Sequence, residues 1–298
     1  MRDRYCLVAL ALLSGFAGFG SPASAVLVDW STLTWSPGTL NNSYDVDSGS
    51  PGTDVNVVIS GNTTQLQPSL DTGNPQTPAI TRAFDGGLSS SPKTLELAID
   101  LSNNTQTITV TINFSNSYAA GVSNVHFQLF DIDLQNAGGS TFQDQIKSIS
   151  ATSTTGTPIA PTITNLGPDV TPGGTGLLQT LTGNATSKDL NGSSGSGTSG
   201  DGNATINFDT TGIRSVTFTY GSGSLFSNPT YEHIGIYNLD YSVVPETNLT
   251  WFSLVSCGLL VCWDLCKALT ASRAKRGRGF LRRGVLRGTP RFGSATSG

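Results

Sequence analysis

Gln106-Thr107-Ile108-Thr109-Val110-Thr111-Ile112-Asn113-Phe114 is the stretch of sequence that decides the fold. Its apolar and polar residues alternate, and successive side chains of a β-strand point to opposite faces of the sheet. Ile108, Val110, Ile112 and Phe114 therefore share one face. We predict a strand that buries this face in a hydrophobic core.

The same strand signals recur along the chain, whereas a helical period of about 3.6 residues never persists. Segments rich in β-branched and aromatic residues, separated by Gly, Ser, Asn and Pro, lie at 26–30, 54–59, 95–100, 125–130, 146–150, 204–208, 213–220 and 233–241. About nine such strands are typical of a β-sandwich. We predict an all-β fold, a single jelly-roll-like β-sandwich over residues 26–242. The Gly- and Ser-rich stretch 189–203 is then a surface loop between strands.

The first residues have the order of a secretory signal. A basic start precedes an apolar run at about 5–19, and Ala23 and Ala25 supply the small side chains that a signal peptidase accepts. The apolar run is shorter than the roughly 20 residues that span a bilayer, which argues against the alternative of a membrane anchor. We predict a signal peptide over residues 1–25, cleaved after Ala25.

The C-terminal region, residues 243–298, has three parts in a fixed order. A short box at 243–247 holds Val244, Pro245, Glu246 and Thr247, an apolar segment follows at about 249–269, and a basic tail occupies 273–298. The basic residues beside the membrane are Arg273, Lys275, Arg276, Arg278, Arg282 and Arg283. Positive residues after an apolar segment stay in the cytoplasm. The sequence therefore predicts a C-terminal transmembrane helix with residues 26–242 outside the cell.

This order of Pro-Glu box, apolar segment and arginine cluster resembles the PEP-CTERM sorting signal, with Thr247 in place of the second proline of the Pro-Glu-Pro box. The resemblance covers residues 243 to about 283. It implies recognition by an exosortase, a membrane protease-transpeptidase, and a cell-envelope, surface or extracellular destination. The alternative is a plain single-pass anchor without processing.

Composition narrows the choice of partners. The whole chain carries a formal charge of -4, but its bases are concentrated in the tail. Residues 26–242 contain only Arg82, Lys93, Lys147, Lys188 and Arg214 as basic residues, so this body is acidic and nucleic acid is excluded as a partner. All four cysteines lie outside the body, which is large enough to fold without disulfides.

Catalytic patterns are lacking in the body. Its histidines, His126 and His233, stand without a nucleophile motif, and each is interpreted as a packing or hydrogen-bonding residue. Glu96 and Asp100 lie on one side of a strand about 13 Å apart, too far for a glycosidase pair. We predict that the protein is not an enzyme, with a polysaccharide-active enzyme of unrecognised type as the weaker alternative.

Calcium is the one cofactor that the residue types permit, because it takes carboxylate and carbonyl oxygens from loops. Asp131 and Asp133 share one face after a strand, and Asp144 follows close in sequence. Asp45, Asp47 and Asp54 form a weaker second group. The alternative is that these aspartates end strands and form turns.

Two functions remain for a non-catalytic exported β body. The first is a structural or adhesive surface protein that interacts with extracellular polysaccharide. The alternative is a carbohydrate-binding module that presents aromatic side chains on one exposed face. The candidate side chains are Trp30, Trp35, Tyr220, Phe226 and Tyr231, and the favoured interpretation is that they belong to the core.

Overall fold

The computed structural model describes residues 24–49, 52–88, 92–137, 139–185 and 200–245, together with Lys267. The described residues before Glu246 belong to one compact unit. Lys267 is exposed and helical. The apolar run of the predicted signal peptide and the predicted basic tail lie outside the described residues, as does the C-terminal apolar segment apart from Lys267.

The compact unit is built from β-strands. Its strands are β1 (Ser24–Val28), β2 (Asn41–Tyr44), β3 (Val55–Gly61), β4 (Ala79–Thr81), β5 (Thr94–Ile99), β6 (Ile108–Phe114), β7 (Val122–Phe130), β8 (Leu134–Ala137), β9 (Ser140–Ser153), β10 (Pro158–Ile159), β11 (Thr162–Thr164), β12 (Val170–Gly173), β13 (Thr180–Gly183), β14 (Ala204–Phe208), β15 (Ile213–Ser222) and β16 (Glu232–Val243). Two 3-10 turns, Thr63–Gln65 and Gly176–Leu178, are the only helices in the described part of 24–245. The predicted all-β class is confirmed.

The strand pairings, all antiparallel, sort into two ladders. In the first, the order is β2-β3-β6-β15-β9-β13-β12, with β8 and β10 added to β9. In the second, it is β11-β14-β7-β16-β5-β4, with β1 on the β5 side of β16. Ile213 opposite Val122 links the two ladders. The architecture is therefore a β-sandwich.

The inner faces of the two ladders share one hydrophobic core. Phe127 of β7 stacks on Phe218 of β15 with ring centroids 5.8 Å apart, and Phe114 of β6 meets Tyr241 of β16 at 5.0 Å. Burial alternates along β6 as its sequence predicts, so that Ile108 and Phe114 are both buried. Removing these aromatic surfaces from water is the main stabilising contribution to the sandwich.

Each strand predicted from sequence is present, and the short ones are additional. The additional strands, β2, β4, β8 and β10 to β13, have at most four residues each. Asn41–Tyr44 and Val170–Gly173 show why they escape prediction, because the first is mostly polar and the second contains Pro and Gly. Their backbones are held by neighbouring strands rather than by their own preference for extended structure.

The two ends of the unit lie side by side. Ser24 and Ala25 pair with Val243 and Ser242, so the predicted cleavage after Ala25 falls inside β1. Val244 and Pro245 follow β16 and are half-buried. Of the other predicted box and cleavage residues, Ala23, Glu246 and Thr247 lie outside the described residues. Within the part that the structure describes, no helix has the length and apolar character needed to cross a membrane.

Candidate functional site

A break in strand pairing opens a cleft beside β16. This strand pairs with β5 as far as Ile236 and with β1 from Leu239 onward. Tyr237 and Asn238 lie between these two points and have neither strand opposite them. Because β1 ends and β5 begins here, the residues that flank the two strands surround the gap.

The cleft has a volume of about 230 Å³. It is lined by Asp29, Ser31, Arg82, Pro92, Lys93, Tyr237 and Asn238. Asp29 and Ser31 come directly after β1, and Pro92 and Lys93 come directly before β5. Arg82 follows β4. The lining therefore combines one aromatic ring with polar groups of both charges.

Tyr237 is held in place by stacking on another aromatic ring. Its ring stacks on Phe130 with centroids 5.1 Å apart and an interplanar angle of 23°. Phe130 belongs to a small cluster with Ala83 and Phe84, separate from the main core. Burial, followed by the charges of Asp29 and Asp240, raises the pKa of Tyr237. Its hydroxyl group therefore stays protonated at neutral pH.

Asn238 lines the cleft from a bulge in β16. The register between β16 and β7 shifts between Tyr237 and Leu239, which makes Asn238 an extra, bulged residue. Its Oδ1 atom is buried and finds no hydrogen-bond donor among the described residues. A buried acceptor without a donor is costly to the folded state.

The described part of the body contains four basic residues, Arg82, Lys93, Lys147 and Arg214. Lys147 donates to the carbonyl oxygen of Ser222 at 2.9 Å, and Arg214 donates to that of Ser115 at 2.6 Å. These two bases hold backbone in place. Arg82 and Lys93 line the cleft. The cleft thus gathers positive charge on an otherwise acidic body.

A second polar region, the acidic cluster, lies at one end of the core. It consists of Asp131, Asp133, Asp144 and Glu232, whose exposed fractions are 7%, 2%, 0% and 0%. Asp131 follows β7, Asp133 precedes β8, and Asp144 lies in β9. Glu232 opens β16 on the same face as Ile234 and Ile236, which point into the core. The two ladders thus bring the four carboxyl groups together.

Asp144 takes part in three hydrogen bonds within the acidic cluster and its surroundings. Its Oδ2 accepts the backbone N–H of Asp133 at 3.1 Å, and its Oδ1 accepts the Tyr220 hydroxyl at 2.7 Å. Its own N–H donates to the Asp133 carbonyl at 2.9 Å. Burial, followed by the charges of Asp133 and Glu232, raises the pKa of Asp144 well above its usual range.

Glu232 differs from Asp144 in the hydrogen bonding of its carboxylate. Neither of its carboxylate oxygens makes a hydrogen bond of normal geometry with any residue that the structure describes. The Ser222 hydroxyl and the Asp144 carboxyl lie beside it and act against the shift, yet burial raises the pKa of Glu232 to about 8. This residue was not among those predicted for a site, since nothing in its local sequence distinguishes it from a surface glutamate.

The structure therefore brings the predicted calcium ligands Asp131, Asp133 and Asp144 together and adds Glu232. Among the described residues, no group of three or more His, Cys, Asp and Glu side chains is placed to hold a metal ion. The weaker group does not form a site either, because Asp54 accepts the N–H groups of Val46 and Asp47 at 2.8 and 2.7 Å.

Glu96 and His233 form a third polar group, on the outer side of β5 and β16. Nδ1 of His233 lies 3.0 Å from Oε1 of Glu96, and Thr81 donates to Oε2 at 2.6 Å. Ser69 also donates to this carboxylate rather than bonding the imidazole. The group ties the segment before β5 to the sheet and offers no activated nucleophile.

The histidines and aromatic residues that were candidates from the sequence differ in their burial and contacts. His126 is exposed, and its Nε2 lies 3.1 Å from Oδ2 of Asp240. Trp30, Trp35 and Tyr220 are buried, which confirms the core interpretation and makes the alternative of an exposed binding face wrong for them. Phe226 and Tyr231 are half-buried, and neither lines the cleft. Tyr237, which does line it, was not a sequence candidate, because the gap depends on strand pairing.

Comparison with known proteins leaves the chain without an assigned family. It matches no family model and no curated protein sequence. Among solved structures, it is similar to a CBM28 carbohydrate-binding module specific for non-crystalline cellulose, at 10% identity and a TM-score of 0.32, over 61% of this chain and 89% of the module. It is also similar to TmCBM27, a module described for mannan recognition, at 11% identity and a TM-score of 0.29, over 74% and 99% of the two chains. Similarity this loose carries no argument about function.

Proposed function

We propose that this protein is an exported, non-catalytic surface protein that binds extracellular polysaccharide in the cleft beside β16. The observation that carries the proposal is the cleft that Tyr237, stacked on Phe130, lines together with the polar Asn238. Sugars offer apolar C–H faces that pack on aromatic rings and hydroxyl groups that donate to amide oxygens. An adhesive role follows from this binding.

The charges of the cleft suggest which polysaccharides it prefers. Arg82 and Lys93 outnumber Asp29, so the cleft attracts sugars that carry carboxylate groups. The favoured ligand class is an acidic polysaccharide such as a polyuronate, ahead of a neutral glucan.

Export of the protein and the order in which its chain visits the two ladders are also part of the proposed function and fold. The order of signal, β body, Pro-Glu box, apolar segment and arginine cluster supports export, membrane anchoring and recognition by an exosortase. The chain also alternates between the two ladders from β5 to β7 and from β13 to β16, which supports a jelly-roll-like connectivity.

Binding can be measured by titrating the full-length protein, in detergent, with polygalacturonate and with a neutral β-glucan of similar length. We expect tighter binding of polygalacturonate, weakened by salt. Tyr237→Ala and Asn238→Ala should each weaken it at least about 10-fold, since each removes a contact of roughly 1.4 kcal/mol or more.

Phe226→Ala is the matched control, because Phe226 is also a half-buried aromatic residue but lies outside the cleft lining. It should leave the affinity unchanged. Wild-type affinity in both cleft variants, with their folds intact by circular dichroism, would show that the cleft is not the binding site.

A further inference from the structure

The outer face of the second ladder continues from the cleft onto β7. Tyr237 of β16 lies opposite Gln128 of β7, and Asp240 lies opposite His126. Phe127, between the two β7 residues, belongs to the core, so its neighbours on either side point outward. Adjacent strands lie about 4.8 Å apart, and this surface therefore begins at the aromatic wall of the cleft.

His126 and Asp240 form an exposed pair on this surface. Nε2 of His126 lies 3.1 Å from Oδ2 of Asp240, and the two side chains are 48% and 37% exposed. Burial raises the pKa of Asp240, and the charge of His126 acts against that shift. Asp240 also contributes, after burial and Asp29, to the raised pKa of Tyr237. The pair is therefore within electrostatic reach of the cleft.

Protonation changes which groups His126 can bind. A carboxylate oxygen only accepts, so the hydrogen of the neutral ring is on Nε2, facing Asp240, and Nδ1 is the nitrogen left for a ligand. In the neutral ring Nδ1 is an acceptor, whereas an imidazolium donates from both nitrogens. Histidine ordinarily changes its charge between pH 5 and 8. A carboxylate is therefore repelled by the neutral ring beside Asp240 and bound by the protonated one.

The neighbours of His126 add little other charge. Besides Asp240, the titratable group near it is Asp209, which follows β14 and is exposed. The other described residues that flank the pair on β1, β7, β11 and β14 do not titrate, and they are Leu27, Asn124, Gln128, Thr162 and Asn207. The pair is thus negative when the imidazole is neutral and has no net charge when it is protonated.

We propose, as an extension that rests on the proposed function, that Gln128, His126 and Asp240 form a second subsite, for a uronic acid unit of the polysaccharide held in the cleft. The protonated Nδ1 of His126 donates to the sugar carboxylate. The Gln128 amide and the Asp240 carboxylate bond to the sugar hydroxyl groups. The subsite therefore makes the protein bind acidic polysaccharide more tightly at acidic pH.

The test is titration of the full-length protein, in detergent, with polygalacturonate at about pH 5.5 and about pH 8 and at constant ionic strength. Carboxyl groups ordinarily titrate near about pH 4, so the ligand keeps its charge at both pH values. Wild-type protein should bind at least about 5-fold more tightly at the lower pH, since a charge-assisted hydrogen bond replaces a repulsive contact. Equal affinities at the two pH values would overturn the second subsite.

Two substitutions at His126 assign the pH dependence to this residue. His126→Gln cannot gain a proton and should lose most of the pH dependence. His126→Lys is positively charged at both pH values and should bind tightly at both. The side chain of His126 is exposed, so both variants should keep the wild-type circular dichroism spectrum. The full wild-type pH dependence in His126→Gln would contradict the second subsite.

The same titrations separate this inference from the proposed function. Binding that is weakened by Tyr237→Ala but does not depend on pH would remove the second subsite and keep the cleft as the binding site. If wild-type protein binds no polygalacturonate at either pH, the proposed function is wrong, and the second subsite with it.

Discussion

Two buried carboxylates of this protein show that the surroundings of a side chain determine which hydrogen-bond donors it receives. Asp54 and Glu232 are both fully buried. Asp54 receives the N–H groups of Val46 and Asp47 and the hydroxyl of Tyr118 at 2.8, 2.7 and 2.8 Å. Glu232 receives no comparable bond from the described residues. Asp54 is thus satisfied by three donors, whereas burial raises the pKa of Glu232.

The raised pKa of Glu232 predicts a dependence of stability on pH. Its pKa is about 8 in the folded protein against 4.5 for an ordinary glutamate, so the folded state holds a proton that the unfolded state releases. The contribution to stability is fully present below about pH 4.5 and is lost as the pH rises through about 8. The raised pKa of Asp144 acts in the same direction.

We therefore expect the free energy of unfolding of the EDTA-treated protein to fall between about pH 5 and pH 8, with a slope of up to about 1.4 kcal/mol per pH unit from Glu232. Urea unfolding at several pH values measures this slope. In Glu232→Gln the slope should be smaller. A stability that rises with pH over this interval in wild-type protein would show that Glu232 is ionised when folded.

At the scale of elements, the short strand β13 is held very close to the acidic cluster. A Cβ atom at Gly183 would lie 1.9 Å from the carbonyl oxygen of Asp133, which is backbone and cannot turn away. Gly183 ends β13 opposite Val170, and the carbonyl of Gly183 accepts the side-chain amide of Gln143 at 2.9 Å. Only glycine permits this approach of two backbones.

Gly183→Ala should consequently destabilise the protein by about 3 kcal/mol, the upper end for overpacking a tight contact. Gly156→Ala is the control, since Gly156 has a φ of 81° but no atom within 4 Å of the added Cβ. Its cost should be about 1 kcal/mol, from backbone strain alone. The denaturant midpoints of the two variants measure how much stability each loses. Equal losses would show that β13 moves away from the Asp133 backbone without cost.

At the scale of the whole molecule, the distribution of charge and hydrophobicity predicts processing. The body is acidic, whereas the basic residues are concentrated beyond the apolar segment at 249–269. Mass spectrometry of the protein from its native host should find a mature chain that begins near Val26 and ends near the box at 243–247. A chain that keeps the tail would exclude processing at the box and leave a simple anchor.

The sequence by itself determined the all-β class and the long strands. Alternation along 106–114 is a local property, because the period of a strand places every second side chain on the same face. The sequence also predicted that Asp131, Asp133 and Asp144 lie near one another, as they do, whereas their binding of calcium stays a prediction. Neither prediction required knowledge of which strands are neighbours.

Only the tertiary structure decided where the candidate sites lie. The cleft exists because β16 changes partner between Ile236 and Leu239, and the acidic cluster is completed by Glu232 from a strand distant in sequence. Strand pairing and register are set by contacts between segments far apart in the chain, which local residue patterns do not encode. The patterns therefore indicate which residues are buried, whereas the pairing of strands decides which polar groups meet.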